Sequence, residues 1–272
     1  MIIAIDIGGT KTLVALFNNS MEVIKSIKFK TPVEYPDFLA ELKRTSLKFP
    51  LDDIEIGAIG SRGFIDRTNG LLVFDDKLSW KNTPLVADCQ AIFGCSLTIE
   101  NDSKLAGLSE ARAVDMSQYP KVAYVTISTG IGSAVVINGH LDQNMINSEV
   151  GKWLVHKDEK LQLWEDTASG SWIRNTYGLL ASEIDDPMIW QEIVDNLAPG
   201  FVNIAAAYTP DLIVVGGGVG SHFEKFGALL QEKMAQLAHP MVSVPPVIGA
   251  SYPEDAVIYG CYHSARDQLL TQ

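Results

Sequence analysis

Three glycine-rich turns, each placed directly after a short apolar segment, are the residues of this chain best suited to chemistry. They lie at residues 8–12, 128–132 and 216–218. A glycine turn lets an anion approach the backbone closely and offers N–H groups to bind it, and the hydroxyls of Thr10 and Thr129 add donors. Each turn alone indicates little, because most glycine turns between strands are plain hairpins, and the Walker A and dinucleotide-binding patterns are absent. Only the three together would indicate a phosphate site.

Two aspartates stand where apolar strands are predicted to end. Asp6 closes the first strand, a position from which a carboxylate can hold magnesium through water. Asp102 ends the segment Glu100–Asn101–Asp102, immediately before a predicted helix. Aspartate is a common helix N-cap, and the local sequence by itself favours that structural role over a catalytic one. The two roles are compatible, and both stay open at this point.

The elements that must position these residues alternate between strands and helices. The strand–glycine turn–strand unit of residues 2–17 recurs at residues 122–137, and Asn138–Gly139 is a strong hairpin signal. Two copies of this unit predict two related α/β domains. Further strands are predicted at 23–29, 54–59, 97–99 and 212–215, and helices at 36–48, 103–114, 187–208 with a kink at Pro199, and from about Glu254 onward.

Composition limits the class of protein. The 272 residues are 47% hydrophobic and 20% charged, as in folded globular proteins, and no stretch approaches the roughly 18 apolar residues of a membrane span. The N-terminus lacks the basic segment of a signal peptide, and the three cysteines form no CxxC pair, so we expect a cytoplasmic protein without disulfides. The net charge of −12 argues against nucleic-acid or membrane partners, but not against nucleotides, which backbone N–H groups and magnesium can hold.

Taken in order, the motifs resemble those of the ROK family of sugar kinases and regulators. Residues 6–12 resemble the first phosphate motif of that family, 128–132 the second, and 210–218 its adenosine motif. Residues 100–102 match the segment that carries the catalytic aspartate of the family, and 79–85 resemble a segment near the sugar. The resemblance extends over nearly the whole chain, from about residue 2 to about residue 265.

This resemblance implies an α/β, two-domain, actin-like ATPase (ribonuclease H-like) fold with an interdomain cleft. The expected domains are residues 1–103 with a C-terminal helix at about 254–272, and residues 104–253. The implied activity is ATP-dependent phosphorylation of a monosaccharide hydroxyl, on a hexose or an N-acetylhexosamine, with Asp102 as the general base. ATP and Mg²⁺ are the implied cofactors, and a homodimer is the implied assembly.

The resemblance also assigns roles to individual residues. The implied magnesium residue is Asp6, acting through water. The implied ATP and phosphate residues are Gly8, Gly9, Thr10, Lys11, Thr129, Gly130, Gly217 and Gly218, and the implied sugar residues are Asn101, Asp102, Glu149, Lys152 and Glu165.

The sequence departs from the family pattern on the sugar side. The Gly-Glu-x-Gly-His motif of the family becomes residues 148–152 here, with Lys152 in place of the histidine. Residues 153–168 contain no cysteine, so the zinc motif is missing and we expect no zinc site, although Glu165 keeps the position of a sugar-contacting glutamate. The loop at residues 61–63 lacks the expected proline, which places that sugar contact in question.

Two alternatives to a kinase remain. One is a relative of the ROK transcriptional regulators without their DNA-binding domain, since the first phosphate strand begins at residue 2 and we expect no helix-turn-helix before it. The other is a sugar or nucleotide sensor without catalysis, which the altered sugar loop favours and the retention of Asp6 and Asp102 opposes. Trp153 and Trp164 lie near the sugar motif, but we expect both to pack in the core. The sequence does not identify the sugar.

Overall fold

The computed structural model describes residues 1–75 and 77–271, and it divides into two compact units. One unit is Met1–Ser109 together with the chain from Val257 onward, and the other is Glu110–Ala256. The boundaries expected from the sequence, 103/104 and 253/254, each lie a few residues earlier. The first differs because Leu105 is buried with Ile258 in the core of the first unit. The expected C-terminal helix included Gln272, which lies outside the described residues.

The first unit is built on a mixed sheet with the strand order β3-β2-β1-β4-β8. Pairs β1–β2 and β2–β3 are antiparallel, and pairs β1–β4 and β4–β8 are parallel. A smaller antiparallel sheet has the order β5-β6-β7. The elements are β1 Ile2–Ile7, β2 Lys11–Phe17, β3 Val23–Lys30, α1 Tyr35–Ser46, β4 Ile56–Ser61, β5 Phe64–Asp66, β6 Leu71–Phe74, β7 Lys81–Thr83, α2 Leu85–Phe93, β8 Ser96–Asn101, α3 Asp102–Ala113, which continues into the second unit, and the C-terminal helix, numbered last below.

Both faces are covered at the central strands β1, β2 and β4, which explains why these three strands are almost uniformly apolar, whereas the edge strand β3 is largely exposed. Ile3, Ile5 and Ile7 of β1 face a core formed with α1 and α2. Ile2 and Ala4 face the opposite core, formed with α3 and the C-terminal helix. Because side chains alternate along a strand, Asp6 falls on this second face, at the carboxyl end of β1.

The second unit repeats the central pairing. Its sheet has the order β11-β10-β9-β14-β15, with β9–β10 antiparallel and β9–β14 parallel, as β1–β2 and β1–β4 are in the first unit. The elements are β9 Lys121–Ile127, β10 Ile131–Ile137, β11 His140–Leu141, β12 Leu154–Lys157, β13 Lys160–Leu163, α4 Trp164–Ala168, α5 Gly170–Tyr177, α6 Pro187–Tyr208, β14 Leu212–Gly216, α7 Gly217–Gly220, α8 Phe223–Leu237, β15 Val247–Gly249 and the C-terminal helix α9 Ala256–Thr271, which belongs to the first unit. The strand pairing at the centre of the two sheets is therefore the same, in the two segments where the sequence repeat occurs.

Local signals account for several element ends. Asn138 and Gly139 both have positive φ angles, as a type I′ hairpin turn requires, and they join β10 to β11. Helix α6 runs without interruption through Pro199, and the kink predicted there stays a prediction. Helix α9 begins at Ala256 rather than at about Glu254, and residues 253–255 form a turn in which the Ala256 N–H donates to the Tyr252 carbonyl at 3.0 Å.

We predict that Gly200→Ala destabilises the protein, although alanine is the better helix former. A Cβ on Gly200, in α6, would lie 2.1 Å from Cε2 of buried Trp164. Overpacking of this kind costs about 1–3 kcal/mol, which exceeds the gain of about 1 kcal/mol in helix propensity. Urea unfolding measures the difference.

The matched control for Gly200→Ala is Gly218→Ala, because a Cβ at Gly218 in α7 meets nothing within 4 Å. The control should unfold at the same urea concentration as the unchanged protein or higher. Equal stability of the two variants would contradict the packing argument.

Candidate functional site

The parallel register of β1, β4 and β8 brings three sequence motifs to one edge of the first sheet. Ile7 pairs with Ser61, and Ser61 pairs with Asn101. The next residue after each strand is therefore Gly8, Arg62 and Asp102, respectively. Neighbouring strands lie about 4.8 Å apart, and ligands of open α/β sheets bind outside the carboxyl ends of their strands.

The first glycine turn is a closed, tightly held loop. The Gly8 N–H donates to the Lys11 carbonyl at 3.0 Å, which closes the turn between β1 and β2. Thr31 ties the turn to β3, because its N–H donates to the Thr10 carbonyl at 3.0 Å and its hydroxyl donates to the Gly8 carbonyl at 2.8 Å. Gly9 is half-buried, whereas Thr10 and Lys11 are exposed. The turn presents a rigid backbone with one exposed hydroxyl and one exposed ammonium group.

Asn101, rather than Asp102, caps helix α3. The helix begins at Asp102, and the Asn101 Oδ1 accepts a hydrogen bond from the Ser103 N–H at 3.0 Å, as an N-cap side chain does. The Ser103 hydroxyl donates to the same oxygen at 2.6 Å. The cap role that the local sequence favoured for Asp102 therefore falls mainly on its neighbour, although the Asp102 Oδ1 shares the Ser103 N–H at 2.8 Å.

The environment of Asp102 makes its carboxyl group more basic than an ordinary one. Burial raises the pKa of Asp102, and the negative charge of Asp75 adds to this effect. The Ser103 N–H, the Arg62 guanidinium and the Lys104 ammonium oppose it without reversing it. A carboxylate with a raised pKa is a better proton acceptor than a free one.

The backbone before Asp102 is fixed by a bidentate ion pair. Arg67 donates from Nε to one Glu100 carboxylate oxygen at 2.6 Å and from Nη2 to the other at 2.5 Å. The Glu100 Oε1 also accepts the Asn101 N–H at 2.6 Å. Glu100 therefore serves structure in the Glu100–Asn101–Asp102 segment, and it holds the next two residues in place.

A second ion pair fixes Arg62 at the middle of the edge. The Arg62 Nε donates to Oδ2 of Asp75 at 2.6 Å, and the Asp75 side chain is fully buried. Its Oδ1 accepts the N–H groups of Lys77 and Leu78 at 2.6 and 2.7 Å. The Arg62 Nη1 lies 3.2 Å from the place that a Cβ on Gly9 would occupy, so the guanidinium packs against the glycine turn.

In the second unit, Glu165 connects the second glycine turn with the altered sugar motif. Its Oε2 accepts the Ile131 N–H at 3.3 Å and lies 2.8 Å from the place of a Cβ on Gly130. Its Oε1 forms an ion pair with the Lys152 Nζ. Thr129, in the same turn, is exposed. The structure therefore brings together Gly130, Lys152 and Glu165.

Lys152 and Glu149 lie at the two ends of one short turn. Val150–Lys152 forms a 3-10 turn, and Glu149 precedes it with an exposed side chain. The Lys152 side chain is 58% exposed, against 17% for Glu165. Lys152, which replaces the expected histidine, is thus oriented by its ion pair with Glu165 and remains accessible to solvent.

The three glycines after β14 have different surroundings. Gly217 has a φ angle of +82°, and a Cβ there would lie 2.6 Å from the Ile127 carbonyl oxygen. A Cβ on Gly216 would lie 2.4 Å from the hydroxyl oxygen of Tyr124. Gly218 is exposed and faces open space. The first two glycines are required by packing, and Gly218 is the one that a ligand can approach.

Several residues of the motifs serve the fold. Trp80, in the segment expected near the sugar, is buried and donates from its indole to the Val33 carbonyl at 2.8 Å. Asp211 accepts the Lys121 N–H at 2.8 Å, and its own N–H donates to the Lys121 carbonyl at 2.8 Å, which joins the starts of β14 and β9. Trp164 is buried against Phe201, and Trp153 packs on the Tyr208 ring, which confirms the packing role expected for both tryptophans.

Sequence reasoning missed Arg62, Asp75 and the bridging role of Glu165. The available signal was a basic residue in the loop where the family resemblance led us to expect proline. Asp75 lies 13 positions away along the chain, and no local pattern links it to Arg62.

Asp6 offers a single half-buried carboxylate at the end of β1. Within residues 1–75 and 77–271, no group of three or more His, Cys, Asp and Glu side chains is arranged to hold a metal ion. The helices of that same part of the chain include none with the length and apolar character needed to cross a membrane.

Two α/β units with this strand arrangement define the class of protein: a two-domain fold of the actin-like ATPase type. The model of the ROK family matches residues 2–268, and the chain belongs to that family.

Similar proteins of known sequence include sugar kinases. A fructokinase of Pediococcus pentosaceus is 28% identical over 90% of this chain and 88% of its own length. An N-acetyl-D-glucosamine kinase of Haemophilus influenzae is 27% identical over 96% of this chain and 97% of its own length.

Solved structures agree on the fold. A glucokinase of Streptomyces griseus, in complex with glucose and AMPPNP, has a TM-score of 0.78 at 20% identity and covers 97% of this chain and 99% of its own. A ROK family transcriptional regulator, a homologue of the E. coli MLC protein, has a TM-score of 0.83 at 16% identity and covers 96% of this chain and 76% of its own.

We predict that the purified protein contains no stoichiometric zinc and keeps its thermal transition in EDTA. The segment expected to carry the zinc motif is held here by protein contacts, including a hydrogen bond of 2.8 Å from the Trp164 N–H to the Trp153 carbonyl and the Lys152–Glu165 pair. Elemental analysis and a melting curve with and without EDTA measure this. One zinc per chain, or a fall in Tm on chelation, would show the prediction to be wrong.

Proposed function

We propose that this protein is an ATP-dependent sugar kinase that transfers the γ-phosphoryl group of ATP to a hydroxyl of a hexose or N-acetylhexosamine. The observation that carries the proposal is the sheet edge at which a glycine turn and a basic carboxylate, Asp102, follow neighbouring parallel strands. The sugar kinases among the relatives of the chain support the same activity.

ATP binding is assigned to the glycine turns. The backbone of Gly9 and Thr10, the Thr10 hydroxyl, the ammonium group of Lys11, and the turn at Thr129 and Gly130 would hold the phosphates, while Gly8, whose N–H donates to the Lys11 carbonyl, would shape the turn. Adenosine would lie against Gly217 and Gly218, where the open space beside Gly218 allows a close approach. Phosphates bind well to such backbone N–H groups.

The donor set at Asp6 fits magnesium. Mg²⁺ takes oxygen ligands, and in phosphoryl-transfer sites it is held by one or two carboxylates, several waters and the phosphates of the substrate rather than by a cage of side chains. A single carboxylate at the end of β1 meets that requirement. When bound with ATP, the ion neutralises charge on the phosphates. Asp6 would hold it through water.

Asp102 would act as the general base. It takes the proton of the attacking sugar hydroxyl while that oxygen bonds to the γ-phosphorus and ADP leaves. Asn101, Glu149, Lys152 and Glu165 would hold the other hydroxyls of the sugar, since each buried hydroxyl needs a partner. An ordinary aspartate has a pKa of about 3.9. Because a base must be deprotonated to act, the raised pKa of Asp102 moves the loss of activity in acid to a higher pH than an ordinary aspartate would give.

A coupled assay of ADP release tests the proposal. The panel contains glucose, mannose, fructose, N-acetylglucosamine and N-acetylmannosamine, each with ATP and magnesium. Turnover that depends on one of these sugars supports the kinase. Sugar binding without turnover would instead identify a sensor. Sugar-dependent binding to DNA would identify a regulator, and this outcome is tested because a ROK family transcriptional regulator shares the fold. Light scattering tests the homodimer that the family resemblance implies.

We predict that Asp102→Asn lowers kcat about 10²–10⁴-fold, the usual contribution of a positioned base. Asparagine is nearly isosteric and can still accept the Ser103 N–H, and the cap on α3 comes from Asn101, so the fold should persist. ATP affinity should also persist, because the glycine turns are unchanged. The measurements are kcat with the best sugar, the Kd for ATP and the melting curve.

The matched control for Asp102→Asn is Asp37→Asn, an acidic residue in the first turn of α1. It should leave kcat unchanged. A folded Asp102→Asn protein with kcat within a few-fold of the unchanged enzyme would remove Asp102 from the mechanism.

We predict that Lys152→Ala raises KM for the sugar and leaves ATP affinity nearly unchanged. The ammonium group is paired with Glu165 and accessible to a ligand, so its loss frees that carboxylate from one of its two anchors. Lys160→Ala, an exposed lysine of β13 in the same segment, is the control and should have no effect. If both variants show the same sugar KM, Lys152 has no part in sugar binding.

A further inference from the structure

The middle position of the site edge belongs to a residue that the proposed mechanism has not used. Strand β4 lies between β1 and β8, and Arg62 follows β4 as Gly8 follows β1 and Asp102 follows β8. The order along the edge is therefore glycine turn, guanidinium, base. A phosphoryl group that moves from the turn to a hydroxyl at Asp102 crosses the middle position.

Contacts place the guanidinium at this point. Its Nη1 is 3.2 Å from the place of a Cβ on Gly9, so the guanidinium lies against the glycine turn. The Arg62 charge also acts on the Asp102 carboxyl group. It lowers the pKa of Asp102, although burial has the larger, opposite effect. One side chain is thus close to the turn and within electrostatic reach of the base.

The orientation of Arg62 is fixed before any ligand binds. Its Nε donates to Asp75, whose carboxylate is buried and is held by the Lys77 and Leu78 N–H groups. A guanidinium is planar, so a bond through Nε fixes the direction of its plane, and the fork of terminal nitrogens matches two oxygens of a phosphoryl group. The Arg62 side chain is 26% exposed, so it remains accessible.

We propose that Arg62 is a catalytic residue that donates hydrogen bonds to the phosphoryl group during its transfer, and that Asp75 is the residue that positions it. This inference rests on the proposed kinase function. In the step, the sugar oxygen forms its bond to the γ-phosphorus, the bond from that phosphorus to the bridging oxygen of ADP breaks, and the hydroxyl proton goes to Asp102. Arg62 keeps its protons and stabilises the charge on the transferred oxygens.

The test compares Arg62→Gln with the unchanged protein in two measurements. Arginines that contact a transferred phosphoryl group contribute up to about 10³–10⁵ in kcat, and we expect a loss of at least about 10²-fold here. Calorimetry with magnesium should show affinity for AMPPNP falling at least about tenfold while affinity for ADP changes less than about threefold, because only the former has a γ-phosphoryl group. Arg62→Lys, which keeps the charge but loses the fork, should show the same pattern with smaller changes.

Two further variants separate catalysis from structure. Asp75→Asn should shift the AMPPNP-to-ADP affinity ratio in the same direction, and the double variant with Arg62→Gln should behave as Arg62→Gln alone. Arg44→Gln removes an exposed arginine that pairs with Glu41 on α1, and it should change neither quantity.

Each outcome has one meaning. Equal losses for AMPPNP and ADP, or a change confined to the KM of the sugar, would overturn the assignment of Arg62 to the phosphoryl group. If Arg62→Gln does not fold, the same criteria apply to Arg62→Lys. If the unchanged protein turns over no sugar, the proposed function fails, and the affinity ratio still decides whether Arg62 contacts the γ-phosphoryl group.

Discussion

The chemistry of the first unit depends on the register of three parallel strands. Because Ile7, Ser61 and Asn101 are aligned across β1, β4 and β8, the residues that follow them stand side by side at one edge. A slip of one residue would turn every strand side chain to the opposite face, and both faces here are filled by apolar side chains. The packing of the core therefore fixes the spacing of Gly8, Arg62 and Asp102 along this edge.

Two carboxylates near the ends of secondary-structure elements each bind a cation and a backbone N–H together. Asp75 joins Arg62 to the N–H groups of Lys77 and Leu78, and Glu165 joins Lys152 to the N–H of Ile131. An exposed ion pair by itself contributes little to stability. A buried carboxylate without partners is costly, so each of these carboxylates is held in the position where both its cation and its backbone N–H can reach it. These anchors place side chains where regular secondary structure has ended.

The sequence predicted what local patterns encode. Apolar runs followed by glycine located the strands and turns, and the periodicity of α6 gave its span of Pro187–Tyr208. Local patterns could not show that Asn101 takes the cap position beside Asp102, because both residue types are good caps. They also could not show that Trp80 and Asp211 serve packing and strand pairing, or that Asp75 holds Arg62. Those roles arise from partners distant in the chain, which only the folded sheet brings together.

The acidity of the chain sharpens the case for a cation at the site edge. A net charge of −12 opposes an anionic ligand at long range, but salt screens exposed charges beyond about 8–10 Å, so most of the 33 acidic side chains act weakly on a bound phosphate. A group in direct contact with a phosphate lies well inside that distance, so salt screens it much less. Among the described residues, Asp6 and Asp102 lie at the ends of β1 and β8, and Asp75 is paired with Arg62. Under the proposed mechanism, an arginine in the loop where proline was expected would place a positively charged donor next to the transferred phosphoryl group, at the distance where a charge acts most strongly.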